Sequence, residues 1–336
     1  VHELLNVVQM VAEICGLGIV LFLTRDLVSA FWVLIATTVV IDVLTLAYYR
    51  PVAGLPRPSD LRRYLNLTLP LLAQDLSNRT IRNADRYLLL VLASPTAAAV
   101  YAVCSSVSQM IENAMGVISP GLYPQVVDAW ARDDTDTLAE LYSFILRWFI
   151  LLGIPAVVGM GLLAREILTT LSTGIVADLG IALLPITAFV FLVSGLNTPF
   201  VFLINAMEQH AVLSNCYVVA AVLNLVLNFA LIPQFGVFGA VAAAGLAYGI
   251  VTIYIIYWTH TRVGYRLPVV TTVQSIVATV VMSGAVLAAP PLGSNYFQMA
   301  VYPVGGAVIY FVTMAAIGGI PWSDIDTVRQ TVFTDR

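Results

Sequence analysis

The chain is 336 residues long, 60% hydrophobic and 10% charged, with a net charge of −4 and a mean hydropathy of +0.93. Soluble globular domains average about 45–50% apolar and about 25% charged residues, so this composition excludes one and defines a membrane protein. With 15 basic against 19 acidic residues there is no basic excess, and nucleic acid is not an expected partner.

A helix needs about 20 mostly apolar residues to cross a bilayer, and ten segments are read as spans: 4–23, 28–49, 65–92, 96–127, 141–163, 180–204, 211–232, 237–258, 268–289 and 296–317. The first two carry single acidic residues, Glu13 and Asp42. The chain enters its first span with no charged leader and no cleavage site, so this is not a signal peptide. A start at Val1 rather than Met reads as an N-terminal truncation. Residues 50–60 hold Gly54, Pro51, Pro56 and Pro58 in a polar, basic loop, and helix breakers gathered there mark a boundary between the first two spans and the rest. Six spans follow, then two more.

Short cytoplasmic loops collect basic residues. Placing loop 50–63 in the cytoplasm puts Arg50, Arg57, Arg62, Arg63, Arg132, Arg262, Arg266, Arg329 and Arg336 inside and leaves Arg25 and Arg165 outside. The expectation is a multi-pass protein of the cell membrane with both termini of this chain cytoplasmic. All 15 basic residues are Arg, and Asp outnumbers Glu by 13 to 6; this usage points to a GC-rich, salt-adapted source such as a haloarchaeon.

Cys15, Cys104 and Cys216 each fall in an apolar segment, far apart, and read as small buried hydrophobes rather than a disulfide framework. His2, His210 and His260 lack ligand spacing, so neither a metal site nor a cofactor is expected. Pro70, Pro120, Pro124, Pro155, Pro185 and Pro199 lie within or at the ends of spans, each removing a backbone donor. The carbonyls they release must find partners in neighbouring helices or a wet cavity. Asn197, Asn205, Asn215, Asn224 and Asn228 read as interhelical hydrogen-bonding groups.

The third span is the exception to this apolar pattern. At about 100° per residue, Asp75, Arg79, Arg82 and Arg86 fall at about 0°, 40°, −20° and 20°, on one stripe, with Asp85 about 80° away. Four such charges facing lipid would cost roughly 10–14 kcal/mol, so the stripe is expected to face protein or water. Asp75 and Arg79 are spaced to neutralise one another. Counting outward from the turn at Pro95, Glu112 on the next span reaches the depth of Arg79 and is the expected partner of the arginines, in a polar patch with Gln109 and Asn113. One reading is that a Glu112–Arg79 pair joins two helices. The other is a hydrated cavity where Arg79, Arg82, Arg86 and Gln109 hold an anionic, phosphate-bearing substrate. Asp75, Asp85 and Glu112 then serve as ion pairs or as coupling groups for H+ or Na+. No catalytic residue is expected.

The run Asn83-Ala84-Asp85-Arg86-Tyr87-Leu88-Leu89-Leu90, then Ala99-Val100-Tyr101-Ala102-Val103, Ile118-Ser119-Pro120-Gly121-Leu122-Tyr123-Pro124 and Ile232-Pro233-Gln234-Phe235-Gly236-Val237-Phe238-Gly239-Ala240 resemble the polysaccharide-transporter or oligosaccharide flippase family. That family belongs to the multidrug/oligosaccharidyl-lipid/polysaccharide exporter superfamily. The resemblance implies an all-α polytopic fold of two six-helix lobes around a central cavity, with two extra C-terminal helices. On that layout residues 1–50 are the last two helices of a truncated first lobe and 51–64 a cytoplasmic inter-lobe linker. Residues 65–260 are the six-helix second lobe, and 261–336 the added pair with a cytoplasmic tail.

The implied function is flipping of a polyprenyl-phosphate- or polyprenyl-pyrophosphate-linked oligosaccharide for surface polysaccharide or glycoprotein assembly, with glycosyltransferases of the same pathway as partners. The implied protein is not an enzyme. A multidrug exporter of the same superfamily is an alternative, although cationic drugs call for acidic and aromatic groups and this stripe is net positive. A non-transporting scaffold for glycan-assembly enzymes is another. An intramembrane glycosyltransferase or polymerase is disfavoured, because outer connection 164–179 offers only Arg165, Glu166 and Asp178.

Overall fold

The computed structural model describes residues 2–49, 58–116, 118–172, 174–290 and 295–320. Among these the chain forms fourteen helices and no strand, and it divides into two compact units, Val1–Leu65 and Asn66–Arg336.

The first unit is built on α1 (His2–Thr24) and α2 (Leu27–Tyr49), joined by a two-residue turn. Arg25 adopts φ 50°. Asp26 accepts from the amides of Val28 and Ser29 at 3.2 and 3.0 Å and from the Ser29 hydroxyl at 2.8 Å, so its carboxylate caps the orphan donors at the start of α2. The Ser29 hydroxyl, followed by the two amides, holds the Asp26 carboxyl below its ordinary range. Gly16 permits close approach of the two helices, since a Cβ there would stand 2.7 Å from Val33. Cys15 is exposed on α1, contrary to the expectation of burial. It lies on a face that α2 does not cover.

The second unit contains α3 (Pro58–Leu92), which begins in the first, then α4 (Pro95–Gly116), α5 (Ile118–Ala131), α6 (Thr135–Leu162), α7 (Ala164–Leu171), α8 (Gly174–Gly180), α9 (Leu184–Gly195), α10 (Asn197–Ala206), α11 (His210–Phe235), α12 (Val237–Val263), α13 (Val269–Ala288) and α14 (Asn295–Ala316). Among the described residues six stretches are long and apolar enough to cross a membrane, with shorter apolar helices at Val8–Thr24 and Val301–Ala316. Two of the ten predicted spans prove to be pairs of helices. Segment 96–127 is α4 plus α5, with residue 117 outside the described residues. Segment 180–204 is mostly α9 plus α10, interrupted at Leu196, where Gly195 propagates a helix poorly and Pro199 can return no hydrogen bond to its preceding turn. The predicted outer connection 164–179 is itself helical, as α7 and part of α8.

Glycine makes the tight turn between α11 and α12. Gly236 sits at φ 56°, ψ −130°, a region that side chains avoid. The core gathers the inner faces of α4, α6, α9, α10, α11 and α12, with Ile81 and Leu89 of α3. Tyr142 stacks on Phe200 within it, and Tyr265 tilts against both.

Pro155 accounts for how the last two helices attach. It leaves the carbonyl of Leu151, one turn earlier on α6, without its helical donor, and the hydroxyl of Tyr310 on α14 donates to that carbonyl at 2.6 Å. Ser275 of α13 meets the same hydroxyl at 2.9 Å. A hydrogen bond away from water thus fixes α13 and α14 to the proline turn of α6. Tyr310→Phe is expected to leave the Leu151 carbonyl unsatisfied and lower stability by about 1–3 kcal/mol. Thermal unfolding in detergent checks this, and a midpoint equal to wild type would show that the bond contributes nothing.

Candidate functional site

The polar residues of α3 meet those of α4, α11 and α12 in the interior of the second unit. Asp85 is fully buried. The Tyr101 hydroxyl donates to its Oδ2 at 2.5 Å, and the side-chain amides of Asn228 and Asn224 donate to its Oδ1 at 2.6 and 3.3 Å. Asn228 also donates to Asn224 Oδ1 at 3.2 Å. The carboxylate is satisfied by three neutral donors from two other helices, as a buried charge requires. The 80° offset read from the sequence explains its separation from the arginine stripe: it turns α3 towards α11.

Arg82 lies one helical step away on the stripe. Its Nη1 donates to Glu112 Oε2 at 3.0 Å and its Nη2 to Glu112 Oε1, an end-on bidentate pair whose side chains are 27% and 10% exposed. Tyr217 of α11 and Tyr248 of α12 flank the pair, and the Tyr248 hydroxyl also reaches Asn78 Oδ1 at 3.4 Å. Arg86 donates from Nη2 to Ser105 Oγ at 3.0 Å, while its Nε is buried with no protein acceptor. Gln109 sits half-buried on α4, one turn before Glu112.

The partner of Glu112 is therefore Arg82, not Arg79. Matching depths from the turn presumes two straight helices side by side. Among the described residues, however, the backbone of α3 makes no sustained close approach to another helix. The partners therefore do not match in depth: Glu112 lies further from the turn than Arg82, whereas Tyr101 lies nearer to it than Asp85, and side chains cross the gap obliquely. Arg79 instead pairs with Asp75 at 2.8 Å, with side chains 71% and 60% exposed. The structure thus assembles Arg82, Arg86, Asp85, Glu112 and Gln109 in one region and leaves Asp75 and Arg79 on the outside of this chain.

Tyr101, Tyr217 and Tyr248 were not legible as site residues, because tyrosine in an apolar helix reads as ordinary membrane aromatic. Asn224 and Asn228, one turn apart on an apolar helix, carried a usable signal. They do bridge helices, through a buried carboxylate. Among the described residues no cluster suited to a metal ion occurs.

Residues 3–174 match the family described as "Polysaccharide biosynthesis protein". The chain belongs to this family. A solved structure of the lipid II flippase MurJ in an inward closed conformation superposes with a TM-score of 0.75 at 11% identity, covering 92% of this chain and 65% of that one. At this identity the likeness establishes the fold, and the chain spans about two thirds of the length of that structure. No curated protein matches. Family and fold together describe a multi-pass membrane protein of polysaccharide biosynthesis, consistent with the helices long and apolar enough to cross a bilayer.

Proposed function

We propose that the chain carries the headgroup-binding part of a flippase, moving polyprenyl-phosphate- or polyprenyl-pyrophosphate-linked oligosaccharide from the cytoplasmic to the outer leaflet. The observation that carries this reading is the presentation of Arg82 and Arg86 on one face of α3, inside a bundle with the fold of a flippase. A phosphate crossing hydrocarbon needs donors and countercharge along its path. Two guanidinium groups a turn apart supply both, in the fork geometry that matches phosphate oxygens. Arg86 already holds a donor with no protein acceptor. Gln109 and the exposed Arg79 extend the same polar track.

In this reading residues 1–50 complete a first lobe, 65–260 form the second and 261–336 an added pair, joined by a cytoplasmic linker at 51–64. Both termini of the chain are cytoplasmic. Asp85, surrounded by oxygen- and nitrogen-bearing side chains, is the candidate group for H+ or Na+ coupling, and Asp75 acts as the ion-pair partner of Arg79. The sugar-bearing lipid is delivered by glycosyltransferases of the same pathway.

The test is lipid-linked oligosaccharide flipping in vesicles reconstituted with the full-length gene product. Each charge-assisted contact is worth about 1.5–3 kcal/mol, so Arg82→Ala and Arg86→Ala should each slow flipping by about tenfold or more. Rates equal to wild type in both variants would sink the phosphate reading.

A further inference from the structure

As it stands, Arg82 has no terminal donor pair left for a ligand. Nη1 and Nη2 meet the two carboxylate oxygens of Glu112, an end-on fork of the kind that Arg also offers a phosphate. The carboxylate side of the pair is buried. Glu112 is 8% exposed, and the cavity bordered by Arg82, Tyr101, Thr187 and Tyr248 measures about 10 Å³, the space of about one water molecule. A phosphate that takes this terminal fork of Arg82 must take the place of the carboxylate.

We propose that Glu112 is a built-in rival for the phosphate on Arg82 and leaves the guanidinium by taking up a proton, so that headgroup binding and protonation of Glu112 are one linked step. The inference rests on the phosphate reading of Arg82 given above. One proton from the aqueous phase adds to a Glu112 oxygen, and no other bond forms or breaks. The cation then faces the phosphate instead of the carboxylate. Were Glu112 to stay ionised, two anions would share one guanidinium and repel one another.

Among the described residues Arg82 is the cation seen to hydrogen-bond Glu112, with Arg86 one turn further along α3 and Arg147 on α6. Arg82 faces it from α3, Tyr217 from α11 and Tyr248 from α12. From α9 comes Gly195, where a Cβ would lie 3.5 Å from the Cα of Glu112 and 3.4 Å from Phe149 of α6. The Tyr248 hydroxyl is directed to Asn78 Oδ1 at 3.4 Å. Because α3 is joined to α4 through side chains such as Asp85–Tyr101 and Arg86–Ser105, releasing Arg82 from Glu112 removes one of the ties that hold the charged helix in place.

The experiment is calorimetric binding of farnesyl diphosphate to the purified chain in lipid nanodiscs, with farnesol as the phosphate-free control. Buffers of different ionisation enthalpy at several pH values report protons taken up per ligand. Wild type is expected to take up about one proton more than Glu112→Gln, a difference in which the titration of the ligand itself cancels. Relative to that variant, wild-type affinity should fall about tenfold per pH unit once Glu112 is ionised. Glu112→Asp keeps a carboxylate and guards against a Gln variant that fails to fold; its shorter reach should loosen the fork and give tighter binding at high pH. Equal proton uptake and parallel pH profiles in wild type and Glu112→Gln, or an Asp profile superimposable on wild type, overturn the exchange while leaving the Arg82–phosphate contact standing. Binding of diphosphate no stronger than that of farnesol, or indifferent to Arg82→Ala, overturns the phosphate reading itself.

Discussion

Replacing Asp85 by Leu is expected to lower stability by roughly 3–5 kcal/mol, counting an orphaned hydroxyl and two weakened amides at about 1–3 kcal/mol per buried group. The carboxylate is fully buried and receives Tyr101, Asn228 and Asn224. Leu fills a similar volume but accepts no hydrogen bond. Of the three donors, only Asn228 has an alternative at hand, through Asn224 Oδ1 at 3.2 Å. The Tyr101 hydroxyl would be left in the core without an acceptor. Asp85→Asn retains one carbonyl oxygen and should cost less, about 1–3 kcal/mol. Chemical or thermal unfolding in a defined detergent ranks the three proteins, and equal losses for Leu and Asn would mean that hydrogen bonding is not what Asp85 contributes. The Asn variant also separates architecture from coupling. If Asp85 exchanges an ion during transport, Asp85→Asn stays folded while flipping loses its dependence on an imposed H+ or Na+ gradient.

The helical pattern of this chain was readable because lipid imposes it: a bilayer demands about 20 apolar residues per crossing, and helices followed nearly every predicted segment. Breaks inside segments were less legible. Pro199 signalled weakness in 180–204 without saying where the helical hydrogen bonding would break, at Leu196, whose backbone stays helical at φ −57°, ψ −26°. The stripe on α3 was also readable, since the angular positions of Asp85 and Arg82 follow from helix geometry alone. Partner identity was not. Glu112 was recognised as the acidic partner of the arginines, but the one of its two readings that paired it with Arg79 named the wrong one, because depth counting knows nothing of how far apart two helices stand. The mate of the Leu151 carbonyl lies 159 residues away at Tyr310, a pairing that only tertiary packing can reveal. Pro155 announced that a carbonyl would be left over, and the fold supplied the hydroxyl.

Arg82→Ala carries the second large effect, and a double-mutant cycle with Glu112 gives it a distinctive form. Removing the guanidinium leaves the buried Glu112 without the cation that hydrogen-bonds it, and breaking a buried pair in this way costs about 3–5 kcal/mol. The 27% exposure of the Arg82 side chain places the expected loss near the lower end of that range. Deleting both charges, as Arg82→Ala with Glu112→Ala, removes the stranded carboxylate as well. The double variant should therefore be more stable than the sum of the singles predicts, with a coupling of about 1–3 kcal/mol. The exposed pair on the same helix is the internal control: Asp75 and Arg79 are largely open, and such pairs are worth about 0–1 kcal/mol, so their cycle should close near zero. Denaturant unfolding of all six variants beside wild type decides the matter. Strict additivity at Arg82 and Glu112 would deny that the two act as a unit. Flipping divides stability from function, because the double variant recovers fold but not the phosphate contact. A double variant that flips as fast as wild type would show that Arg82 serves only to neutralise Glu112.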